Sequence, residues 1–420
     1  MPMPQVLVLG AGAVGVSTAL RLQQSGSSAV LLDRVGVGLE TSYGNAGIIQ
    51  REAAEPYAMP RDLRSLLAIG LGRSNDVDYS VAAVLGQAGP LARYWWNSAP
   101  SRYRAVGRAY ATLIAHSTRA HAPLIDALGS QAEGLVRREG YRVLFRSARK
   151  QDEMTAQAEQ LARDYGIAWR SLSASELQQA EPALRSGGLG GIHWLDPWTV
   201  SSPGGLIQAY GALFEQRGGT VLKAAVRGLS RSAGGAGWVV ETDQGPQEAE
   251  QVVLALGPWS IGLLQMLGYA FPMVRKRGYH RHFSAQPGLD LPLMDSGFGY
   301  VMAPMQQGLR LTSGAQLCAA DAPARDVQLR RAEQAARGLL DLGTACEDQA
   351  WFGTRPCMSD MLPVIGEAPN HKGLWLHFGH GHQGFTLGPA SADMLVDLMT
   401  GQTPAVDPLP FSPRRFQGAA

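Results

Sequence analysis

The 420-residue chain predicts an α/β protein built on a parallel sheet, with a second, α+β domain of mainly antiparallel sheet. Three observations carry the prediction. A strand, a glycine-rich turn, a helix and a second strand open the chain. Buried-strand patterns return in separated stretches downstream, and the intervening segments alternate strand-like and helix-like periodicity. With 45% hydrophobic and 17% charged residues, a chain of this length exceeds one ordinary core, so two domains are expected.

Gln5-Val-Leu-Val-Leu9 is a short apolar run suited to a strand buried on both faces. Gly10-Ala11-Gly12-Ala13-Val14-Gly15 follows, and Val16–Gln24 reads as an amphipathic helix ending near Gly26. Ala29–Leu32 is the second strand, with Asp33 at its end. Gly10 permits a tight turn, Gly12 lets a pyrophosphate approach the backbone, and Gly15 lets helix and strand pack closely. The helix N-terminus offers unpaired N–H groups and the positive end of its dipole to phosphates. Asp33 can accept hydrogen bonds from ribose hydroxyls. In this context the glycines read as a Rossmann-like dinucleotide site, although they do not choose between NAD and FAD.

Bulk composition excludes several classes. The formal net charge is +2, and the basic clusters Arg137-Arg138 and Arg275-Lys276-Arg277 are short enough to be solvated surface, so no nucleic-acid partner is expected. Cys318, Cys346 and Cys357 form no CxxC pair, which fits a reducing compartment and cytoplasmic location. Met1-Pro-Met-Pro leads into an apolar run without a basic n-region or cleavage site, so no leader is expected. No run of apolar residues is long enough to span a membrane. His377, His380 and His382 lie in a glycine-rich turn without nearby carboxylate or cysteine ligands, so no metal is expected.

The segment Leu39-Glu-Thr-Ser-Tyr-Gly-Asn-Ala-Gly-Ile-Ile49 resembles the small subunit of bacterial D-amino-acid dehydrogenases, within the wider D-amino-acid-oxidase and glycine-oxidase family of flavoproteins. The resemblance continues through Asp196-Pro197, Pro203, the helical run Gly205–Gln216, the strand Gly219–Val226, and Gln251-Val-Val-Leu-Ala-Leu-Gly257-Pro-Trp259. It is most specific at Gly353-Thr-Arg355-Pro356, at Pro363-Val-Ile-Gly366, and at Gly379-His-Gly-His-Gln-Gly-Phe-Thr386. Gly388–Met399 would supply the helix behind this last turn.

The resemblance implies FAD as cofactor. It would be held by Gly10, Ala11, Gly12, Val14, Gly15, Asp33, Arg34, Thr41, Ser42, Asn45, Ala46, Gly47, Val226, Gly257 and Trp259. The C-terminal turn would add His380, Gly381, His382, Gln383, Gly384, Phe385 and Thr386, with His380 bonding the flavin or the backbone of the turn. Two departures stand out. Ser359 replaces a frequent proline, and Cys357 follows Arg355, whereas the flavin-attached cysteine of the sarcosine-oxidase branch precedes that position. Noncovalent FAD is therefore expected.

On this reading the FAD-binding domain is discontinuous, at 1–57, 198–268 and 350–420, and the substrate domain comprises 58–197 and 269–349. Within the latter, Leu135–Phe145 and Ala270–Phe283 read as strands, Asp152–Tyr165 and Asp326–Leu340 as helices, and Ser173–Pro182 as a short serine-capped helix. In 61–96, leucines interleave with Arg61, Arg64 and Arg73 ahead of Tyr94-Trp95-Trp96. This pattern suits either an interfacial helix touching a membrane's inner face or a helix packed on its own protein.

Oxidation of an amino acid needs its carboxylate clamped, its amine neutral, its Cα–H aimed at the flavin, and water excluded. Arg355 is the expected clamp, since a guanidinium meets a carboxylate with two parallel hydrogen bonds. Tyr300 matches a family tyrosine that faces substrate, yet reads equally as a core residue; Tyr279 and His280 are candidates for the pocket wall. The resemblance implies oxidative deamination of a small D-amino acid, with D-proline and D-hydroxyproline as instances, and a quinone or other carrier as acceptor; the small, largely uncharged pocket candidates favour a neutral substrate. An oxygen-using oxidase of glycine or an N-methyl amino acid, and an FAD-binding subunit of a larger complex, are the alternatives. The oligomeric state is not legible.

Overall fold

The computed structural model describes residues 4–72, 75–235, 237–319 and 321–417. Val6–Leu9 lies inside a six-stranded sheet whose order is 220–223, 29–33, 6–9, 251–254, 374–378, 364–367. The first five strands are parallel and the last is antiparallel. The expected apolar runs are buried because both faces are covered. Val6 and Val8 face the helices Ala13–Gln24, Pro203–Gln216 and Gly384–Met399. Leu7 and Leu9 face the opposite layer, where Trp238 and the helix Ser260–Met266 close the core.

The larger, mainly antiparallel sheet runs 77–79, 315–317, 273–283, 308–312, 300–305, 293–295, 141–144, 191–194, 169–172, and 351–358 adds to the 273–283 strand. Parallel pairs occur at 77–79 with 315–317 and at 141–144 with 293–295. The helix Val327–Arg337 covers part of one face with Leu329, Ala332 and Ala336. Ala148–Tyr165 buries Ala158 and Leu161 beneath another part. Ser173 caps Ala174–Ala180 in a reciprocal capping box with Glu176, as its sequence leads one to expect.

Several boundaries differ from expectation. The single strand expected at Leu135–Phe145 divides into Val136–Arg137 and Tyr141–Leu144, which join different sheets. Gly140 makes the break: it has φ +75°, and a Cβ there would stand 2.8 Å from the Trp194 carbonyl carbon. The strand expected over Gly219–Val226 ends at Lys223, and Val226 begins the next one. The C-terminal helix starts at Gly384, one turn before Gly388, with Pro389 inside it. Proline lacks the N–H that would bond the Phe385 carbonyl, and His121 Nε2 bonds that carbonyl instead at 3.0 Å. The other ring nitrogen, Nδ1, lies 3.0 Å from Tyr210 Oη. The strand Trp351–Met358 begins just past the expected boundary at 350 and pairs along its length with Met273–Phe283 of the larger sheet. Residues 61–96 form helices Leu63–Gly70, Val81–Gly86 and Ala88–Asn97 with a short strand, Val77–Tyr79. Arg73 and Met1–Met3 lie outside the described residues, as does the Arg64 side chain.

Candidate active site

A cavity of about 1760 Å³ runs from the glycine turn to the larger sheet, larger than a single small-molecule ligand requires. At one end Gly10 has φ +105°, and a Cβ there would meet the Ala255 carbonyl carbon at 2.9 Å. A Cβ on Gly15 would stand 2.9 Å from the Gly10 carbonyl carbon, so neither position accepts a side chain without displacing backbone. Asp33 organises this end. Its Oδ2 accepts the Ala11 N–H at 2.8 Å, and its Oδ1 accepts those of Val35 and Gly36 at 2.9 and 3.0 Å. Ser42 Oγ takes the Ala13 N–H at 2.9 Å. Gly10, Gly12, Val14 and Asp33 line the cavity, whereas Ala11 and Gly15 sit behind it as packing and turn residues.

Arg34, Thr41, Ser42, Asn45, Ala46, Val226, Gly257 and Trp259 also line the cavity. The Arg34 guanidinium lies 4.2 Å above the Trp259 ring and pairs with Glu40 at 2.7 Å. Gly47 is set back, its φ +71° placing it against Val200 and Met305. The Thr41–Gly47 loop is fixed from far along the chain. Thr41 Oγ1 donates to the Thr354 carbonyl at 3.1 Å, and Arg310 Nη1 donates to the carbonyls of Tyr43 and Asn45 at 2.9 and 2.6 Å. Arg310 is buried, and His282 Nε2 accepts from its Nε at 3.0 Å.

His380, Gly381, His382, Gly384 and Phe385 line the cavity from the C-terminal turn. His380 does not bond the backbone of the turn: its Nε2 and that of His377 both meet Ser391 Oγ, at 3.0 and 2.8 Å. The hydroxyl of Ser391, on the following helix, is the partner within reach. Burial holds His380 down at about 3 and His377 well below the ordinary imidazole range, so both are neutral. Gln383 donates to Gln50 Oε1 at 2.7 Å, and Thr386 Oγ1 accepts the Gln50 N–H at 3.2 Å. These two residues brace the turn from behind. Gln383 does not cap the Gly384 helix through its side chain, so the first-turn N–H groups keep their capacity for a ligand's negative charge. Among the described residues no group of His, Cys, Asp or Glu has a metal-binding arrangement.

The far wall is the strand pair 273–283 with 351–358. Arg355 and Lys276 are cross-strand partners and both line the cavity. Arg355 Nη1 donates to the Gly314 carbonyl at 3.1 Å, and burial lowers the pKa of its guanidinium. Sequence reasoning placed Lys276 on solvated surface; the strand turns it inward. Tyr279, three residues on, projects to the opposite face, where its hydroxyl donates to Gln316 Oε1 at 2.7 Å and accepts the Arg325 N–H at 3.0 Å. His280 shares a face with Arg355 but is covered: its ring stacks on Trp351 at 4.7 Å, with Tyr43 beyond at 5.8 Å. Burial and the Arg310 charge hold it at about 2. Tyr300 is buried in the core away from the cavity, beside Asp295 and Arg146. The structure therefore brings Arg355 to the cavity, with Tyr279 also in its lining, and leaves His280 and Tyr300 out of that lining.

One lining residue had no sequence signal. Glu52 is buried; its Oε1 accepts from Gln50 Nε2 at 2.7 Å and from Tyr141 Oη at 3.0 Å, while Oε2 has no partner. Burial pushes its carboxyl up to about 7. The charges of Glu52, Arg355 and Asp76 all act on the Tyr57 hydroxyl.

The model of one family, described as FAD dependent oxidoreductase (DAO), matches residues 5–398. The chain belongs to that family. Its cofactor is FAD, and the glycine cradle, Asp33, the Thr41–Gly47 loop and the uncapped Gly384 helix are features that fit it. The chain is 30% identical to a D-amino acid dehydrogenase of Chromohalobacter salexigens, covering 98% of this chain and 99% of that one. It is 27% identical to a D-amino-acid oxidase of Bradyrhizobium diazoefficiens, covering 98% of each. Among solved structures, glycine oxidase from Geobacillus kaustophilus superposes with a TM-score of 0.75 at 21% identity over 98% of both chains. This family member is an FAD-dependent oxidoreductase with an α/β cofactor-binding fold.

Proposed function

We propose that the chain oxidises a small D-amino acid at the carbon bearing its nitrogen and passes the electrons to a quinone or other carrier. The observation that carries this is Arg355: a guanidinium on the cavity wall with one protein acceptor, Gly314 O, and no carboxylate partner among the described residues. It can hold a substrate carboxylate in one plane by two parallel hydrogen bonds. Glu52 lines the cavity with a carboxyl pushed up to about 7 and one oxygen, Oε2, unpartnered, and is suited to accept a proton from the substrate's ammonium group and leave the amine neutral. Met294, Val301 and Phe385 give the lining apolar surface that excludes water. Bound FAD supplies the acceptor for the hydride that leaves the carbon. It is held noncovalently, and precipitation with acid should release it into the supernatant.

The test is anaerobic mixing of the holoenzyme with a panel of D- and L-amino acids, including D-alanine, D-proline, D-hydroxyproline and glycine. Bleaching of the flavin by D-amino acids is expected. Bleaching by L-amino acids alone, or by none, would overturn the reading. The division into a cofactor unit (1–57, 198–268, 350–420) and a substrate unit (58–197, 269–349) goes with it, the 351–358 strand serving both.

The acceptor proposal draws on the surface at 61–96. Leu63, Leu67, Leu71, Val81, Leu85 and Trp96 are each more than half exposed. Arg61 lies 3.6 Å above the Trp95 ring and Arg102 4.0 Å above the Trp96 ring. Apolar side chains ringed by arginines suit the headgroup region of an anionic bilayer, where a quinone would be met. No helix among the described residues is long and apolar enough to cross a membrane. Co-sedimentation with anionic vesicles, lost on Leu67→Asp with Trp96→Asp, is the expected result. Peroxide formation under air as fast as quinone reduction would favour the oxidase reading instead.

A further inference from the structure

Two cations, Lys276 and Arg355, share one wall of the cavity. Lys276 and Arg355 are direct cross-strand partners, so their side chains leave the same face of the sheet, and both line the cavity. Neither forms an ion pair among the described residues. The groups acting on Lys276 are Cys357, Tyr94 and Arg355 itself, and those acting on Arg355 are Cys357 and Tyr57.

Their heads lean apart. The Arg355 guanidinium lies over Gly278, where an added Cβ would come within 2.7 Å of its Cζ, and it donates toward Gly314. The Lys276 ammonium turns to Tyr94, donating to Oη at 3.2 Å and lying 4.3 Å from the ring centroid. Gly278 lies two residues along the strand from Lys276, a separation of roughly 6–7 Å. A carboxylate held by both guanidinium hydrogen bonds at Arg355 occupies that group fully. Lys276 is left with an ammonium of three donors, of which Tyr94 takes one. Two like charges side by side in a half-buried cavity are unfavourable until ligand anions meet them. A ligand with one carboxylate meets only the first.

We infer that Lys276 is a second anion subsite, and that the preferred substrate is a D-amino acid carrying a second carboxylate on its side chain, the α-carboxylate on Arg355 and the distal one on Lys276. This rests on the amino-acid-oxidising reading above. It replaces the neutral side chain expected from sequence with an acidic one, because strand pairing brings into the cavity a lysine that its basic neighbours made look solvated.

The test uses the holoenzyme in anaerobic flavin reduction with D-aspartate, D-glutamate and D-2-aminoadipate against their uncharged counterparts D-asparagine, D-glutamine and D-norvaline. At least one acid should exceed its counterpart at least tenfold in kcat/KM. Lys276→Met should cut that ratio at least tenfold, and Lys276→Arg should keep most of it. Independently of turnover, glutarate and butyrate are titrated into the enzyme and followed by flavin absorbance. Glutarate should bind at least tenfold more tightly, with the difference lost in Lys276→Met. If neutral D-amino acids bleach as well as the acids, the subsite is overturned while the oxidative reading stands. If no amino acid bleaches, that reading falls, and equal affinity for glutarate and butyrate overturns the subsite on its own. The wild-type ranking and titration need no variant, so both can still support or overturn the subsite if Lys276→Met misfolds.

Discussion

Replacing Gly278 with alanine tests the carboxylate clamp without touching the arginine. The new Cβ would stand 2.7 Å from Arg355 Cζ, whereas unstrained carbon contacts lie near 3.5–4.0 Å, so the guanidinium must retreat by roughly 1 Å. Gly278 sits mid-strand outside the left-handed region, where alanine is at least as well tolerated as glycine. Fold and FAD content should therefore survive. A displacement of about 1 Å at a positioning group costs up to roughly 100-fold, and the arginine's flexibility softens this toward tenfold. The expected loss in kcat/KM is thus about 10- to 100-fold, or about 1.4–2.7 kcal/mol. Stopped-flow flavin reduction under anaerobic conditions measures it, with thermal unfolding and flavin content as controls. A Gly278→Ala enzyme that keeps its FAD and reduces it with wild-type kcat/KM would refute Arg355 as the clamp.

Further outcomes follow from other parts of the site. Asp33→Ala removes the acceptor of three backbone N–H groups and should weaken FAD binding by about 1–3 kcal/mol, read by titrating apoprotein with FAD. Glu52→Gln should slow flavin reduction at least tenfold at pH 7.5, where a carboxyl pushed up to about 7 is mostly ionised. The gap should close above the substrate amine's own pKa, and an equal deficit at all pH values would show a structural role. Tyr141, Asp196, Tyr57 and Tyr110 are the titratable neighbours that bear on that profile. His121, His280 and His380 are buried and neutral, held at about 4, 2 and 3. The unfolded chain binds protons below about 6.5 that the folded one refuses, so stability should be complete above that pH. It should fall on acidification by up to about 1.4 kcal/mol per pH unit per histidine. Urea midpoints unchanged between pH 7.5 and 5.5 would contradict this.

The cofactor end was legible because its chemistry is local. Gly10, Gly15 and Asp33 lie within one strand–helix–strand unit, and each owes its role to backbone geometry that a short stretch dictates. Arg355 was legible through its Gly-x-Arg-Pro setting. The rest of the wall depended on strand phase, which one residue inverts. Tyr279 lines the cavity yet sends its hydroxyl to Gln316, and Lys276 looked like surface and faces inward. Alternation counted across from Arg355 could have found Lys276 had the 273–283 pairing been known. Tyr300, which read equally as a core residue, is buried beside Asp295, and His280 is covered by Trp351, partners that come from other parts of the larger sheet. Glu52 carried no signal, since its burial depends on Tyr141 and Gln50 closing over it.

The Thr41–Gly47 loop has a consequence for how the protein matures. The strand–helix–strand unit that carries the phosphate turn is synthesised well before Arg310 and Thr354, yet the loop beside it is held by Arg310 and by the carbonyl of Thr354. At translation speeds of about 5–20 residues per second, the nascent chain waits on the order of tens of seconds between making the loop and making its anchors. Stable uptake of FAD is therefore a late event in biogenesis, and a chain truncated before residue 310 should emerge colourless even though its glycine fingerprint is complete.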